Sequence, residues 1–514
     1  MKPSSPLVLL LGLSVLLLGV STQGRAAPKW LVGQSDGFVV YSNDSARATR
    51  GVVEELRDAR SLFEKLFPSF GARRSIPIRV VVCSGSSTIK TFSRLYEDKP
   101  TTFGGLFFND FEGPTIIINT SGDWEFTRQT VYHEYIHYLT SHTNRYLPPW
   151  LSEGLAELFS TIEPRTDGRI EVGNPVPYGA QTYQENKPIP FERFFTVTRY
   201  SPEYNSRKHG RGQFYAQSWL LLHYLKFGET DLPETALGAL VKRALLDGIV
   251  TETTLQETLG MDYDQLGREL DRYSRRGTFL RRIYELSQEE RHFELDLRRA
   301  SEGEVNLLIG SLLLYNRGPS EAYSKLAYAA QQLPDSPLAH AYQGYHALRQ
   351  DQPEYALESF GKAVELGSES PHTLVAYVRS WIKVHDPSGS ISRNLITKED
   401  TSILLGHLFK ARQIAGAFDK GLYQQIGAVW LRSKVEPNDK HMGALSEGLS
   451  VFPEDDLTAY YLALYFERAE RYPEAKAMVD RYYPHSVSGE ALQAYRKLDQ
   501  RLVTRLAAKD GSGS

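Results

Sequence analysis

The sequence predicts an α+β domain followed by an all-α solenoid of paired helices. Three observations carry this. Strand and helix patterns alternate up to residue 118. A helix bearing His133-Glu134-Tyr135-Ile136-His137 follows, with a second helix close behind it. Beyond residue 300, small and apolar residues recur 34 positions apart, as Gly310 and Gly344 do. At 514 residues the chain has room for roughly two to four domains with proper cores.

The first 27 residues stand apart. Lys2 precedes Leu7 to Val20, a stretch without charge, and small residues follow around STQGRAAP. This predicts a secretory signal peptide over 1–27, its apolar run being short for a membrane span. Cleavage after Ala26 leaves Gly24 and Ala26 in a small-x-small arrangement; Ser21 and Ala27 are the other cleavage points, and an uncleaved anchor is the alternative. The protein is therefore expected to be exported, periplasmic or extracellular, with no membrane span after cleavage. A net charge of −3 gives no footprint for nucleic acid. The single cysteine, Cys83, lies in IRVVVCSGS, which reads as a buried strand. It excludes an internal disulfide, and an exported chain without one fits a bacterial route.

From Trp30 to Ile118 the elements read in order as follows. GFVVYSND is a strand, ARATRGVVEELRDARSLFEKLF an amphipathic helix, and IPIRVVVCS a second strand. FGGLFFND and PTIIINTS are two more strands joined by a Glu-Gly-Pro turn. Either Gly105 to Asn109 or Ile116 to Asn119 is expected to form a free edge on which an extended peptide can add as a strand. Two ordinary interior strands are the other reading.

TRQTVYHEYIHYLTSH has no glycine or proline and reads as helix. Positions 133 and 137 then share one face, so both imidazoles can reach one ion. Glu134, beside the first histidine, is placed to take a proton from water, which is the HExxH pattern of zinc hydrolases. A catalytic zinc ion needs three protein ligands and an open position, so one ligand is missing. PPWLSEGLAELFS, residues 148–160, supplies a second helix, with Trp150, Leu151, Leu155 and Leu158 as its apolar stripe. Glu153 and Glu157 stand four apart on one face of it. Glu153 comes 16 residues after His137, enough for the chain to turn and send this helix back past the first.

WLSEG resembles the third-ligand helix of the peptidase MA superfamily, to which thermolysin and the M1-type aminopeptidases belong. The resemblance implies a zincin-like protease domain over 28–290 and a gluzincin-type zinc metallopeptidase. It implies one Zn2+ held by His133, His137 and Glu153, with Glu134 as general base and Glu157 orienting a histidine. Glu157 as third ligand, Glu157 as a solvated charge, and His142 as a ligand are the alternatives. The wider pattern, residues 30 to 275, resembles secreted bacterial members of the superfamily in which HExxH, WLSEGLAE and a YAQSW-type helix occur in that order. Gluzincins commonly supply a tyrosine or histidine after the third ligand to stabilise the oxyanion, and Tyr215 in FYAQSW is the candidate here. Packing of a helix face is its plainer role; His209 and His223 are lesser candidates. M1-type aminopeptidases carry a glutamate on the strand before the site that holds the substrate's amino group. This chain reads GGLFFND there, with Asp110 the only acid, so an endopeptidase is expected over an aminopeptidase.

Gly310, Ala322, Leu326 and Ala329 recur as Gly344, Ala356, Phe360 and Ala363. Small residues at close-packing positions with that period are the tetratricopeptide signature. A repeat domain is expected over 300–505, with Pro334 and Pro371 ending units, a further unit around Ala475, a degenerate stretch over 375–450, and a flexible tail over 506–514. Stacked units form a concave groove for a peptide or partner protein, or else brace the domain before them. The expected whole is an exported zinc peptidase acting on a protein or peptide substrate, its repeats recruiting substrate or partner. The rivals are a catalytically silent scaffold that binds through its repeats, and a zinc hydrolase of cell-wall peptides.

Overall fold

The computed structural model describes residues 30 to 511, apart from 36, 68–75, 94, 97–98, 101–104, 122–123, 142–146, 166, 178, 206–211, 230–231, 234, 388–393, 417–418 and 483–488. The expected signal peptide, His142 and His209 lie outside the described residues. No helix among those described is long and apolar enough to cross a membrane.

Eleven strands occur among the described residues: β1 (Leu31–Ser35), β2 (Phe38–Ser42), β3 (Ile78–Cys83), β4 (Leu95–Tyr96), β5 (Lys99–Pro100), β6 (Gly105–Asp110), β7 (Gly113–Asn119), β8 (Glu163–Pro164), β9 (Arg169–Val172), β10 (Arg282–Glu285) and β11 (Asp296–Arg299). Six build the main sheet in the order β11-β1-β2-β3-β7-β6. Its centre, β2-β3-β7, is parallel, and both flanks are antiparallel. Strands buried on two faces read as continuous apolar runs, as IRVVVC and TIIIN do here.

Alternation along the strands divides the core in two. Phe38, Val40, Val80, Val82, Ile116 and Ile118 point to one face, where they meet the helices Ala46–Leu66, Trp124–Ser141 and Pro149–Ser160. Tyr41, Val81, Cys83 and Ile117 point to the other, where they meet Leu308, Leu312, Tyr342 and Phe360 of the repeats. The sheet is thus the middle layer between a site-bearing helical layer and the start of the solenoid. β11 is an edge strand of the sheet, and the repeats cover the sheet's back face.

The solenoid consists of the helix pairs Glu302–Asn316 with Pro319–Gln332, Pro337–Arg349 with Pro353–Glu365, Pro371–His385 with Lys398–Ala415, Lys420–Arg432 with Asp439–Val451, and Asp456–Arg468 with Tyr472–Tyr482. A last helix, Gly489–Gly511, extends into the stretch expected as a tail. A side chain at Gly310 would strike Leu326, and one at Gly344 would strike Phe360, which is the close packing the 34-residue period encodes. The period is lost over 375–450 because the third pair is joined by a longer connection, 386–397, that bridges to Ser433 through Ile396. Pro371 opens a helix rather than closing a unit.

The turn between β6 and β7 sits against the first helices of the first three pairs. Phe111 stacks on Tyr345 with ring centroids 4.9 Å apart, and Phe108 stacks on Tyr315 at 4.7 Å. Glu112 accepts hydrogen bonds from Tyr345 at 2.7 Å and Thr373 at 2.6 Å. Gly113 holds φ at +124°, and a Cβ there would lie 2.8 Å from Ile76 and 3.6 Å from His372. The chain's own hairpin therefore covers this part of the solenoid.

Candidate metal centre

The helix Trp124–Ser141 buries Val131, Tyr132, Tyr135 and Ile136 against the sheet. His133, Glu134 and His137 fall outside that stripe and are half-buried. Pro148 and Pro149 open the next helix, Pro149–Ser160, which is buried along most of its length. Gly154 lets it cross the helix Gly212–Phe227 closely, since a Cβ there would lie 2.8 Å from the Ser218 carbonyl oxygen. That crossing sets Glu153, only 3% exposed, opposite the histidines.

Three ligand atoms converge. His133 Nε2 and His137 Nε2 are 3.1 Å apart, and they lie 3.4 and 3.2 Å from Glu153 Oε2. For metal–ligand bonds of about 2.0 to 2.1 Å, the edge of a tetrahedron is roughly 3.3 to 3.4 Å. The triangle matches one face of that tetrahedron. Glu153 Oε2 is buried and makes no hydrogen bond. Among the described residues, this is the one cluster of three or more histidine, cysteine or acidic side chains close enough to hold an ion. The residues present fit a four-coordinate zinc ion.

Neighbours fix each ligand. His133 Nδ1 is 3.5 Å from Glu157 Oε1, on the side of the ring away from the Nε2 that faces Glu153. His137 Nδ1 is hydrogen-bonded to Ser152 Oγ at 3.0 Å, and with Nε2 given to an ion Nδ1 would be the donor. Tyr204, from the short helix Pro202–Asn205, donates to Glu153 Oε1 at 2.7 Å. Sequence reasoning missed both Ser152 and Tyr204. Ser152 adjoins Glu153, about 100° away around the same helix, so it was within reach of a helical argument. Tyr204 stands alone, 51 residues on, with no spacing to mark it.

Tyr215 lies beside His133, with ring centroids 6.5 Å apart and planes 25° from parallel. His223 is elsewhere. It is fully buried, bonded to Tyr273 Oη at 2.8 Å and the Gly173 carbonyl oxygen at 2.9 Å, a satisfied core histidine. Asp110 is also taken. It pairs with Arg79 and accepts from Tyr342 at 2.8 Å, at the junction with the repeats. It does not offer the free carboxylate that a substrate amino group would need.

The electrostatics favour a cation. Burial opposes charge on Glu153, yet the two imidazoles facing it hold its carboxyl well below the usual range. Burial likewise opposes protonation of His133, but Glu153, Glu157 and Glu134 outweigh it and raise its pKa. Three carboxylates thus surround one imidazole.

No protein-family model matches this chain, and no curated protein sequence matches it. The solved structures similar to it include one of PilF from Pseudomonas aeruginosa, 16% identical with a TM-score of 0.30, covering 40% of this chain and 90% of that one. Another is a thermophilic TPR protein of Thermus thermophilus, 17% identical with a TM-score of 0.26, covering 40% and 99%. A third is the Cut9–Hcn1 hetero-tetramer of the APC/C, 11% identical with a TM-score of 0.25, covering 73% and 67%.

Proposed function

We propose that this protein is a zinc-dependent endopeptidase of gluzincin type, exported from a bacterial cell, with a helical repeat domain built onto its back. The observation that carries this reading is the triangle of His133 Nε2, His137 Nε2 and Glu153 Oε2, with edges of 3.1 to 3.4 Å, next to Glu134. His133, His137 and Glu153 would hold the ion through these atoms. When bound, zinc supplies Lewis acidity, which brings the pKa of water down towards about 7 and polarises a carbonyl group.

The chain's own residues carry the remaining chemistry. The Glu134 carboxylate takes a proton from the attacking water and returns it to the leaving amine. Tyr215, next to His133, donates its phenolic proton to the oxygen on which charge develops. Glu157 and Ser152 hold the imidazoles in the tautomer that turns Nε2 inward. Among the described residues β6 pairs with β7 on one side only and runs beside the histidine helix, so an extended polypeptide can add to its outer edge. The engagement of Asp110 favours internal bonds over the amino terminus.

The second reading is a binding protein that works through its repeats. The solenoid favours it, because stacked helix pairs present surfaces suited to protein partners. Measuring bound zinc and cleavage of an unfolded protein, with Glu134→Gln as control, separates the two. The peptidase reading requires about one zinc per chain and cleavage that Glu134→Gln abolishes. Bound zinc with equal, null activity in both proteins would leave the binding role. Cleavage of muropeptides alone would assign the site to cell-wall peptides.

A further inference from the structure

We propose that Tyr204 is a positioning residue for the metal site: by holding one oxygen of Glu153 it makes that carboxylate a one-oxygen ligand and so sets the coordination number. This rests on the metal-site reading above. Glu153 Oε2 faces the two histidines, while Oε1 accepts from Tyr204 at 2.7 Å. That bond occupies one lone pair of Oε1 and draws this oxygen towards the phenol, which favours an ion held through Oε2 alone. Calcium-type sites take six to eight oxygens and commonly use two-oxygen carboxylates, whereas zinc with an open position needs one oxygen here.

The phenol is itself held. Arg193 grips Glu203, the residue before Tyr204, through two bonds of 2.7 Å. The Tyr204 backbone N–H donates to the Ser201 carbonyl oxygen at 3.1 Å, closing the turn that aims the ring. The ring lies between Phe214 and Tyr215, at centroid distances of 6.0 and 5.9 Å. A phenol has one proton, and Tyr204 gives it to Glu153. Tyr215, whose ring flanks Tyr204, also stands beside His133.

The test is zinc affinity, by competition with a chromophoric chelator, and the visible spectrum of the Co2+-substituted protein, for wild type and Tyr204→Phe. Thermal melts of the metal-free forms check folding. Tyr204→Phe is expected to lose about 10- to 100-fold in zinc affinity. The intense Co2+ bands of a four-coordinate site should weaken as the freed oxygen binds. Equal affinity and an unchanged spectrum would overturn the proposal while leaving the metal site standing. Failure of the wild type to bind zinc would bring down the metal reading and this inference with it. If Tyr204→Phe does not fold, Glu203→Gln keeps the phenol but releases its grip. It should show the same shifts at smaller size, and unchanged values would overturn the role.

Discussion

Tyr342 donates a hydrogen bond of 2.8 Å to Asp110, tying the first helix of the second repeat pair to the end of edge strand β6. Arg79 pairs with the same carboxylate, donates to the Tyr342 oxygen at 3.1 Å, and reaches Ser311 at 3.0 Å. Four chain elements, two strands of the sheet and two repeat helices, meet in this cluster. Tyr342→Phe takes one donor from a buried carboxylate and should cost about 1 to 3 kcal/mol. Urea unfolding should show the loss in one transition that includes the sheet. Two transitions, with only the repeats weakened, would mean that sheet and solenoid fold independently.

The same junction predicts what truncation does. A chain ending at residue 290 lacks β11 and the helices that cover Tyr41, Val81 and Ile117. Exposed apolar area of that kind drives association. Residues 30–290 alone should aggregate or melt without a cooperative calorimetric peak, whereas a chain kept through residue 385 should melt cooperatively. A stable, monomeric 30–290 fragment would contradict the three-layer packing.

Ser152 gives His137 Nδ1 its partner at 3.0 Å. Ser152→Ala leaves the imidazole free to turn or to change tautomer, so zinc affinity should fall by about 10-fold or more. Chelator competition on the purified variant measures this. An unchanged affinity would show that packing alone orients His137.

The sequence disclosed what lies on a regular period and little else. His133 and His137 were legible because a helix repeats every 3.6 residues, and Glu153 because WLSEG in the following helix lies at a plausible return distance. The repeats were legible where Gly310 and Gly344 meet Leu326 and Phe360, and illegible where the connection 386–397 shifts the register. Tyr204 could not be found, since it reaches Glu153 by tertiary folding alone. The contact between sheet and repeats was illegible for a related reason. A strand buried on two faces reads as apolar throughout, which says that Val81 is covered without saying that a repeat helix covers it.

His223 makes the fold sensitive to acid. Burial pushes its pKa down from 6.5 to about 4, and the protein holds it neutral between Tyr273 and Gly173. The unfolded chain takes up a proton below pH 6.5, while the native one does so only near pH 4. Stability from this group is thus full above pH 6.5 and is lost as pH falls towards 4. The loss amounts to roughly 3 kcal/mol. His223→Gln cannot titrate. Urea melts from about pH 7.5 down to about pH 4 should show wild type losing stability relative to the variant by that amount. A difference that does not change with pH would refute the assignment.

Tyr215 and Tyr204 lie side by side yet should fail differently. Tyr204 touches Glu153, whereas Tyr215 stands against His133. Under the proposed reaction, charge building on the substrate oxygen draws the Tyr215 proton. Tyr215→Phe removes a donor needed only at that moment. It should lower kcat by about 10²- to 10³-fold and leave KM and zinc affinity nearly unchanged. Steady-state kinetics on an unfolded protein substrate, at saturating zinc, decides the matter. A variant with full kcat would return Tyr215 to the packing role, and one with weakened zinc would place it with Tyr204 in holding the ligand.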